Sequence, residues 1–341
     1  MRGAVPVYLS LPVARLPGVA LDNAHLIERV RSTFRGNALE WKAVERGIRL
    51  VFQSCGTQVR YLEDDAPAEP GLHASRRLVE VLALHGRAPS DLDTVIYGSI
   101  ARTVFEPAMA CEVAARAGAT SALAYDVVAA CAGPILAIEA TVAKAAIDPT
   151  WKLGAIVSAS LSEGFLRYDI PRLSELETLA AGLTIGNAST AMLVGREPFR
   201  HGGRILATHA SGAVQHHALC KVPTRGHFQS ARETIVALAA MVPAHVATIL
   251  GRNGLRAEDV DLYVLHQPSD RVLRGVARAL GVPAERVPQL HHLHANTEAS
   301  SVPLALRTLH DQGRLRPGMR VLIGSAAAGF TMASALVQWE G

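Results

Sequence analysis

Apolar runs of strand length alternate along the chain with segments whose apolar positions recur every three to four residues. The short runs predict strands at Thr94–Tyr97, Ala155–Ser158, Ser189–Val194, Leu262–Leu265, Val321–Ile323 and Ala333–Trp339. The periodic segments predict helices at Ala74–Leu84, Pro107–Ala117, Gly133–Ala146, Ala231–Leu250 and Arg271–Leu280. This alternation predicts an α/β fold. Ser162–Glu177 is charged and irregular and reads as a surface excursion or lid.

A weak internal repeat accompanies the pattern. Pro89–Tyr97 resembles Ala257–Leu265, each reading as a helix exit, an acidic turn and a buried strand, at an offset of 168 residues. The same offset brings Cys131 close to Asn296, and Ala155–Ser160 close to Ile323–Ala328. Two similar halves follow, residues 1–197 and 198–341, divided at Arg196-Glu197-Pro198. Because βα units look alike, the repeat by itself leaves a chance likeness open.

Composition narrows the function. The 341 residues are 49% hydrophobic and 19% charged, enough for a large core and too apolar for a disordered chain. Aromatic residues are only 5%, which argues against a stacking platform for single-stranded nucleic acid. Lys and Arg total 34 against 30 Asp and Glu without a long basic block, so no nucleic-acid partner is expected. A mild positive field favours phosphate-bearing partners such as coenzyme A or an acidic carrier protein. Cys55, Cys111, Cys131 and Cys220 form no CxxC pair, which indicates neither a zinc site nor a disulfide scaffold and fits a reducing cytoplasm. Pro6 and Pro12 interrupt any signal-peptide core. The apolar region Ser121–Ile147 carries Asp126, Glu139 and Lys144 and reads as a buried strand and helix, not a membrane span.

Four segments carry residues suited to chemistry. In Asp126-Val127-Val128-Ala129-Ala130-Cys131-Ala132-Gly133-Pro134, the cysteine falls at a strand-to-helix turn. The positive end of the helix dipole there stabilises a thiolate and is expected to lower the thiol pKa. The same segment fits a buried structural cysteine. His266 ends the strand Tyr263-Val264-Leu265, where an imidazole relays protons or donates to a thioester oxygen, or is simply a satisfied core histidine. Asn296 precedes a helix rich in small residues and reads as an oxyanion donor or as a turn asparagine. The small residues of Gly324–Phe330 allow a backbone N–H to approach a ligand oxygen. His291, His292 and His294 lack a metal-ligand frame and read as loop surface near Asn296.

Taken in order, Asp-Val-Val-Ala-Ala-Cys-Ala-Gly, His-Gln-x-x-x-Arg, Asn-Thr-x-x-x-Ser-Val-Pro-Leu-Ala-Leu and Ala-Gly-Phe-Thr resemble the thiolase-fold condensing enzymes, specifically 3-oxoacyl-[acyl-carrier-protein] synthase III and its relatives. The resemblance covers nearly the whole chain. It implies a five-layered αβαβα sandwich of two duplicated halves, dimeric across the first half. It implies that Cys131 is acylated by a thioester and that His266 and Asn296 form an oxyanion hole. The N–H groups of Cys131 and Ala328 would form a second hole, with Ser269, Gly329 and Phe330 against substrate. Neither cofactor nor metal is implied; the substrates are thioesters of coenzyme A or acyl carrier protein.

Departures from the family pattern point to a branch. Glu106, in Phe105-Glu106-Pro107, takes the place of a phenylalanine that closes the partner's acyl pocket in synthase III. The segment Ala101–Pro107 resembles OleA-type enzymes, which condense two fatty acyl-CoA molecules head to head, and ketosynthases that build α-pyrones and dialkylresorcinols. In those branches the glutamate reaches the neighbouring subunit and removes an α-proton. Synthase III obtains its carbanion by losing CO₂ from a malonyl thioester; an acyl thioester has no carboxylate to lose and requires a base. An apolar pocket would raise the pKa of such a glutamate. An interface ion pair or a helix-start charge is the plainer role for Glu106. Ser269 also fits these branches, whereas Pro134, Ala327 and Ala328 depart from the family's usual Phe and glycines. The expected activity is therefore a non-decarboxylative Claisen condensation giving a 3-oxoacyl product, open or closed to a ring. Decarboxylative synthase III chemistry, acyl transfer to a small acceptor and a non-catalytic dimer partner are the alternatives.

Overall fold

Three parallel pairings organise the sheet. Thr94–Tyr97 lies parallel to Leu123–Asp126 on one side and to Leu153–Ser160 on the other. Leu262–Leu265 lies parallel to Arg320–Ala327. Each arrangement continues antiparallel, Leu153–Ser160 with Ala188–Gly195 and Arg320–Ala327 with Thr331–Trp339. The registers match as well: Thr94 faces Gly154, and Leu262 faces Val321. The short strand Tyr8–Ser10 pairs with Ala188–Gly195 and with Gly202–Gly212, so the two halves are hydrogen-bonded into one ten-stranded sheet. This computed structural model describes residues 5–63, 68–162, 164–167, 169–231 and 233–341.

Side-chain alternation sorts the elements into layers. Ile96, Ile156, Val264 and Ile323 face a shared middle layer formed by helices Gly133–Ile147 and Ser301–Asp311. Val95, Tyr97, Ala155 and Val157 face the opposite way, against helices Pro70–Leu84 and Met109–Ala117. In the second half Tyr263, Leu265, Leu322 and Leu336 pack against Glu233–Arg252 and Asp270–Leu280. The order is helix, sheet, helix, sheet, helix. Strands buried on both faces read as unbroken apolar runs, which explains why these strands were visible in the sequence. The middle helix Gly133–Ile147 with its preceding turn is long and apolar enough to cross a membrane, yet here it supplies Ile135 and Ile138 to the interior core.

Two regions differ from the sequence expectations. Gly202–Gly212 is a strand, although Gly-Gly-Arg-Ile-Leu-Ala-Thr-His-Ala-Ser-Gly carries no clean apolar pattern. It is specified by its neighbours on both sides rather than by its own side chains. Ser162–Glu177 is not a surface excursion. Leu166 and Ile170 from this segment, with Leu179, Leu183 and Ile185 beyond it, form a satellite core with Leu26, Val30, Trp41, Val44, Ile48 and Phe52. The last six come from helices Asn23–Thr33 and Ala38–Cys55. Glu163 and Tyr168 of the segment lie outside the described residues.

Candidate active site

Cys131 occupies the centre of a 3-10 turn, Ala130–Ala132, that runs directly into helix Gly133–Ile147. Close backbone approach fixes this junction. A Cβ on Gly133 would lie 2.8 Å from the Gly98 carbonyl oxygen and 3.0 Å from that of Val127. A Cβ on Gly98 would meet the Pro134 nitrogen at 2.9 Å. Glycine at both positions lets the helix start press against the end of strand Thr94–Tyr97. Ala130 holds φ +46°, a left-handed conformation that costs an alanine about 1 kcal/mol or more and turns the next residue out of the strand line. The thiol state differs from the sequence expectation. Burial pushes the Cys131 thiol well above its ordinary value, and the nearby Glu298 carboxylate adds to the rise. Desolvation here outweighs what a helix start supplies, so the resting side chain is a neutral thiol.

His266 follows strand Leu262–Leu265, and its backbone N–H donates to the Gly324 carbonyl at 2.9 Å. It is 8% exposed, and burial pushes its pKa down to about 4, with His291 contributing in the same direction. At neutral pH the imidazole is uncharged and offers one N–H. Gln267 clamps the segment. Its backbone N–H donates to Ser301 Oγ (2.9 Å), and its side-chain NH₂ donates to the carbonyls of Leu265 (2.7 Å) and Pro288 (3.2 Å). Its side-chain oxygen accepts from Leu290 N–H (2.8 Å). His291 is a further correction. Rather than lying on a loop surface it is fully buried, with Nδ1 at 2.9 Å from the Gln267 carbonyl and Nε2 at 2.7 Å from Thr57 Oγ1.

Asn296 is held by its backbone, donating to Thr184 O (2.9 Å) and accepting from Gly186 N–H (3.0 Å). Its Oδ1 accepts from the Glu298 N–H at 2.9 Å. With the oxygen so occupied, the amide NH₂ is the end left to donate. The turn Glu298–Ser300 packs against the turn bearing Cys131, which in turn packs against strand Arg320–Ala327 next to His266. The structure therefore brings together the elements that carry or adjoin Cys131, His266 and Asn296. Ala328 opens the turn after Arg320–Ala327. Phe330 ends that turn, fully buried, exchanging backbone hydrogen bonds of 3.0 and 2.8 Å with Ala213. Gly329 holds φ +137°, which a side chain would strain. Ser269 is buried, and its hydroxyl accepts from Val272 N–H (3.2 Å) as the N-cap of helix Asp270–Leu280, which leaves its O–H to donate elsewhere.

Glu106 lies on an exposed loop, beside Phe105 (82% exposed) and Val104 (43%). In the single chain it therefore has no apolar pocket around it. The loop itself is braced. Tyr97 Oη donates to the Ala101 carbonyl at 2.5 Å, and Arg102 pairs with Asp126 at 3.6 Å. The Asp126 carboxylate also accepts the Met109 and Ala110 N–H groups (3.1 and 3.0 Å) where helix Met109–Ala117 begins.

Next to His266, between the sheet and helices Glu233–Arg252 and Asp270–Leu280, lies a small apolar cavity of about 50 Å³. Val242, Leu273, Val276, Ala326 and Met332 line it. Gly324 and Ala326 contribute almost no side chain, which leaves the space open. The sequence reading missed this cavity because its walls come from elements far apart in the chain. It also passed over Glu298, a buried charge among small residues immediately after Asn296, and that oddity was the available signal.

Residues 250–339 match the family model 3-oxoacyl-[acyl-carrier-protein (ACP)] synthase III C terminal. The chain is 30% identical over 337 residues to beta-ketoacyl-[acyl-carrier-protein] synthase III of Rhodospirillum rubrum, covering 95% of this chain and 96% of that one. It is 29% identical over 335 residues to the Sphingopyxis alaskensis enzyme of the same name, with 95% and 96% covered. Among solved structures it superposes on OleA of Xanthomonas campestris with bound lauric acid and lauroyl-CoA at a TM-score of 0.87 and 18% identity, covering 98% and 99%. The Pseudomonas aeruginosa 3-oxoacyl-(acyl carrier protein) synthase III superposes at 0.82 and 23% identity, also covering 98% and 99%.

Proposed function

The chain belongs to the 3-oxoacyl-[acyl-carrier-protein] synthase III family of thiolase-fold, C–C bond-forming acyltransferases, and within it we propose a Claisen condensation of two acyl (or 3-oxoacyl) thioesters without decarboxylation. Cys131 takes the first acyl group from coenzyme A or acyl carrier protein. Glu106 of a second copy of the chain removes the α-proton of the second thioester. The resulting carbanion attacks the Cys131 thioester carbonyl; the new C–C bond forms as the C–S bond to Cys131 breaks. His266 and Asn296 donate to the enolate oxygen, and the backbone N–H groups of Cys131 and Ala328 to the oxyanion on the acyl carbon.

The braced loop bearing Glu106 carries this reading. A carboxylate flanked by exposed Val104 and Phe105 is positioned for an apolar neighbour, where loss of water would strengthen it as a base. The lauroyl-CoA ligand of the OleA structure fits the same substrate class.

A second reading is decarboxylative condensation with malonyl-ACP, favoured by the names of the relatives at 29–30% identity. The two separate on Glu106→Ala. The proposal predicts that this variant acylates Cys131 but forms no condensation product from acyl-CoA alone. Product formation at the wild-type rate, or formation only with malonyl thioester and CO₂ release, defeats it.

A further inference from the structure

Glu298 is a second carboxylate, in the same chain and nearer the thiol's own turn. It is 6% exposed, and a buried carboxylate is held by its surroundings rather than by water. Its backbone holds φ +49°, a conformation that costs a non-glycine residue roughly 1–3 kcal/mol. That conformation aims the Glu298 N–H back at Asn296 Oδ1 and fixes the direction in which the side chain leaves the turn. The turn Glu298–Ser300 packs against the turn Ala130–Ala132, where Ala130 is also left-handed. Two strained turns thus meet, one bearing the nucleophile and the other an acid. The field agrees: after burial, Glu298 is the largest influence holding the Cys131 thiol high, and its charge also reaches Cys220 and Tyr97.

A neutral thiol must give up its proton as it attacks. His266, pushed down to about 4, is no stronger a base than a carboxylate. A carboxylate that gains a proton becomes neutral, which suits a desolvated site, whereas an imidazole becomes a buried cation.

We propose that Glu298 is a further catalytic residue, the proton shuttle of the acyl-loading step. As Cys131 sulfur bonds to the thioester carbonyl carbon, its proton passes to a Glu298 oxygen. When the carbonyl re-forms, the bond to the leaving sulfur breaks, and Glu298 returns the proton to that thiolate. No proton or electron is gained or lost overall. The inference rests on Cys131 being the acylated nucleophile, and does not depend on Glu106.

The test uses the full chain with dodecanoyl-CoA and with iodoacetamide, reading modification of the Cys131 peptide by mass spectrometry at one pH. In Glu298→Gln, acylation is expected to fall by about 100-fold. Alkylation, which needs only the thiolate, is expected to hold or rise because a negative neighbour has gone. Glu298→Asp, which keeps the charge one methylene back, should acylate faster than the Gln variant and decides the matter by the same split if the Gln variant does not fold. Acylation within about threefold of wild type overturns the proposal, since general acid–base help is worth far more. A parallel fall in both reactions also overturns it, because a packing role would produce that. Absence of acyl-Cys131 in the wild type defeats instead the function proposed above.

Discussion

Asp126 joins the fold to the chemistry more tightly than any other single side chain at the edge of the site. Its carboxylate accepts two backbone N–H groups at the start of helix Met109–Ala117 and pairs with Arg102 at the base of the Glu106 loop. Asp126→Ala leaves both N–H groups without their acceptor. Each such loss costs about 1–3 kcal/mol where water cannot substitute, so the stability loss should be about 3 kcal/mol. Asp126→Asn keeps one carbonyl acceptor and should lose roughly half as much. The functional effect is selective. The loop that bears Glu106 loses its Arg102 pair and its tie to the helix start, keeping only the Tyr97–Ala101 bond, while the turn bearing Cys131 keeps its glycine contacts with Gly98. Equilibrium denaturation gives the stability change, and single-turnover acylation beside product formation gives the split. Condensation should fall by about 100-fold, the penalty for misplacing a reacting group by an ångström, with acylation nearly unchanged. A stability change below about 0.5 kcal/mol, the level of an ordinary surface substitution, would refute the clamp; loss of acylation in step with condensation would refute its selectivity.

Gly133→Ala places a methyl 2.8 Å from the Gly98 carbonyl, so the helix start must shift; Cys131 acylation should drop while circular dichroism stays native, and normal acylation would show that the junction is not held by this contact. His245, His266 and His294 are each pushed down to about 4 by burial. Their unfolded pKa is near 6.5, so the unfolded chain binds more protons between pH 6.5 and 4, and stability must fall as pH drops through that window. At about 3 kcal/mol each the loss approaches a typical total stability; a denaturation midpoint unchanged from pH 7 to pH 5 would contradict it.

How much of this was legible depends on where the information resides. Leu262–Leu265 and Thr94–Tyr97 were readable to the residue because both faces are covered and no charged residue interrupts either run. Gly202–Gly212 was not, because its place is set by partners on either side. Helix Ala38–Cys55 carried its signals openly, with Asn37 and Glu40 forming a capping box, Trp41, Val44, Ile48 and Phe52 on one face, and Gly56 ending it; it was overlooked rather than hidden. Cys131, His266 and Asn296 were singled out by motif. The raised state of the thiol was not, because desolvation depends on what surrounds the sulfur, and those atoms come from distant turns. Ser269 carried a second signal that went unread: a serine before Asp-Arg-Val is also a good N-cap, and it caps the helix here.

The most direct test of the central claim is to incubate wild type and Glu106→Ala with dodecanoyl-CoA alone, following both the mass of the Cys131 peptide and the lipid products. Both proteins should carry the dodecanoyl group on Cys131, and only the wild type should release a 2-alkyl-3-oxoacyl product. An unmodified Cys131, or the same product from both proteins, would contradict the account.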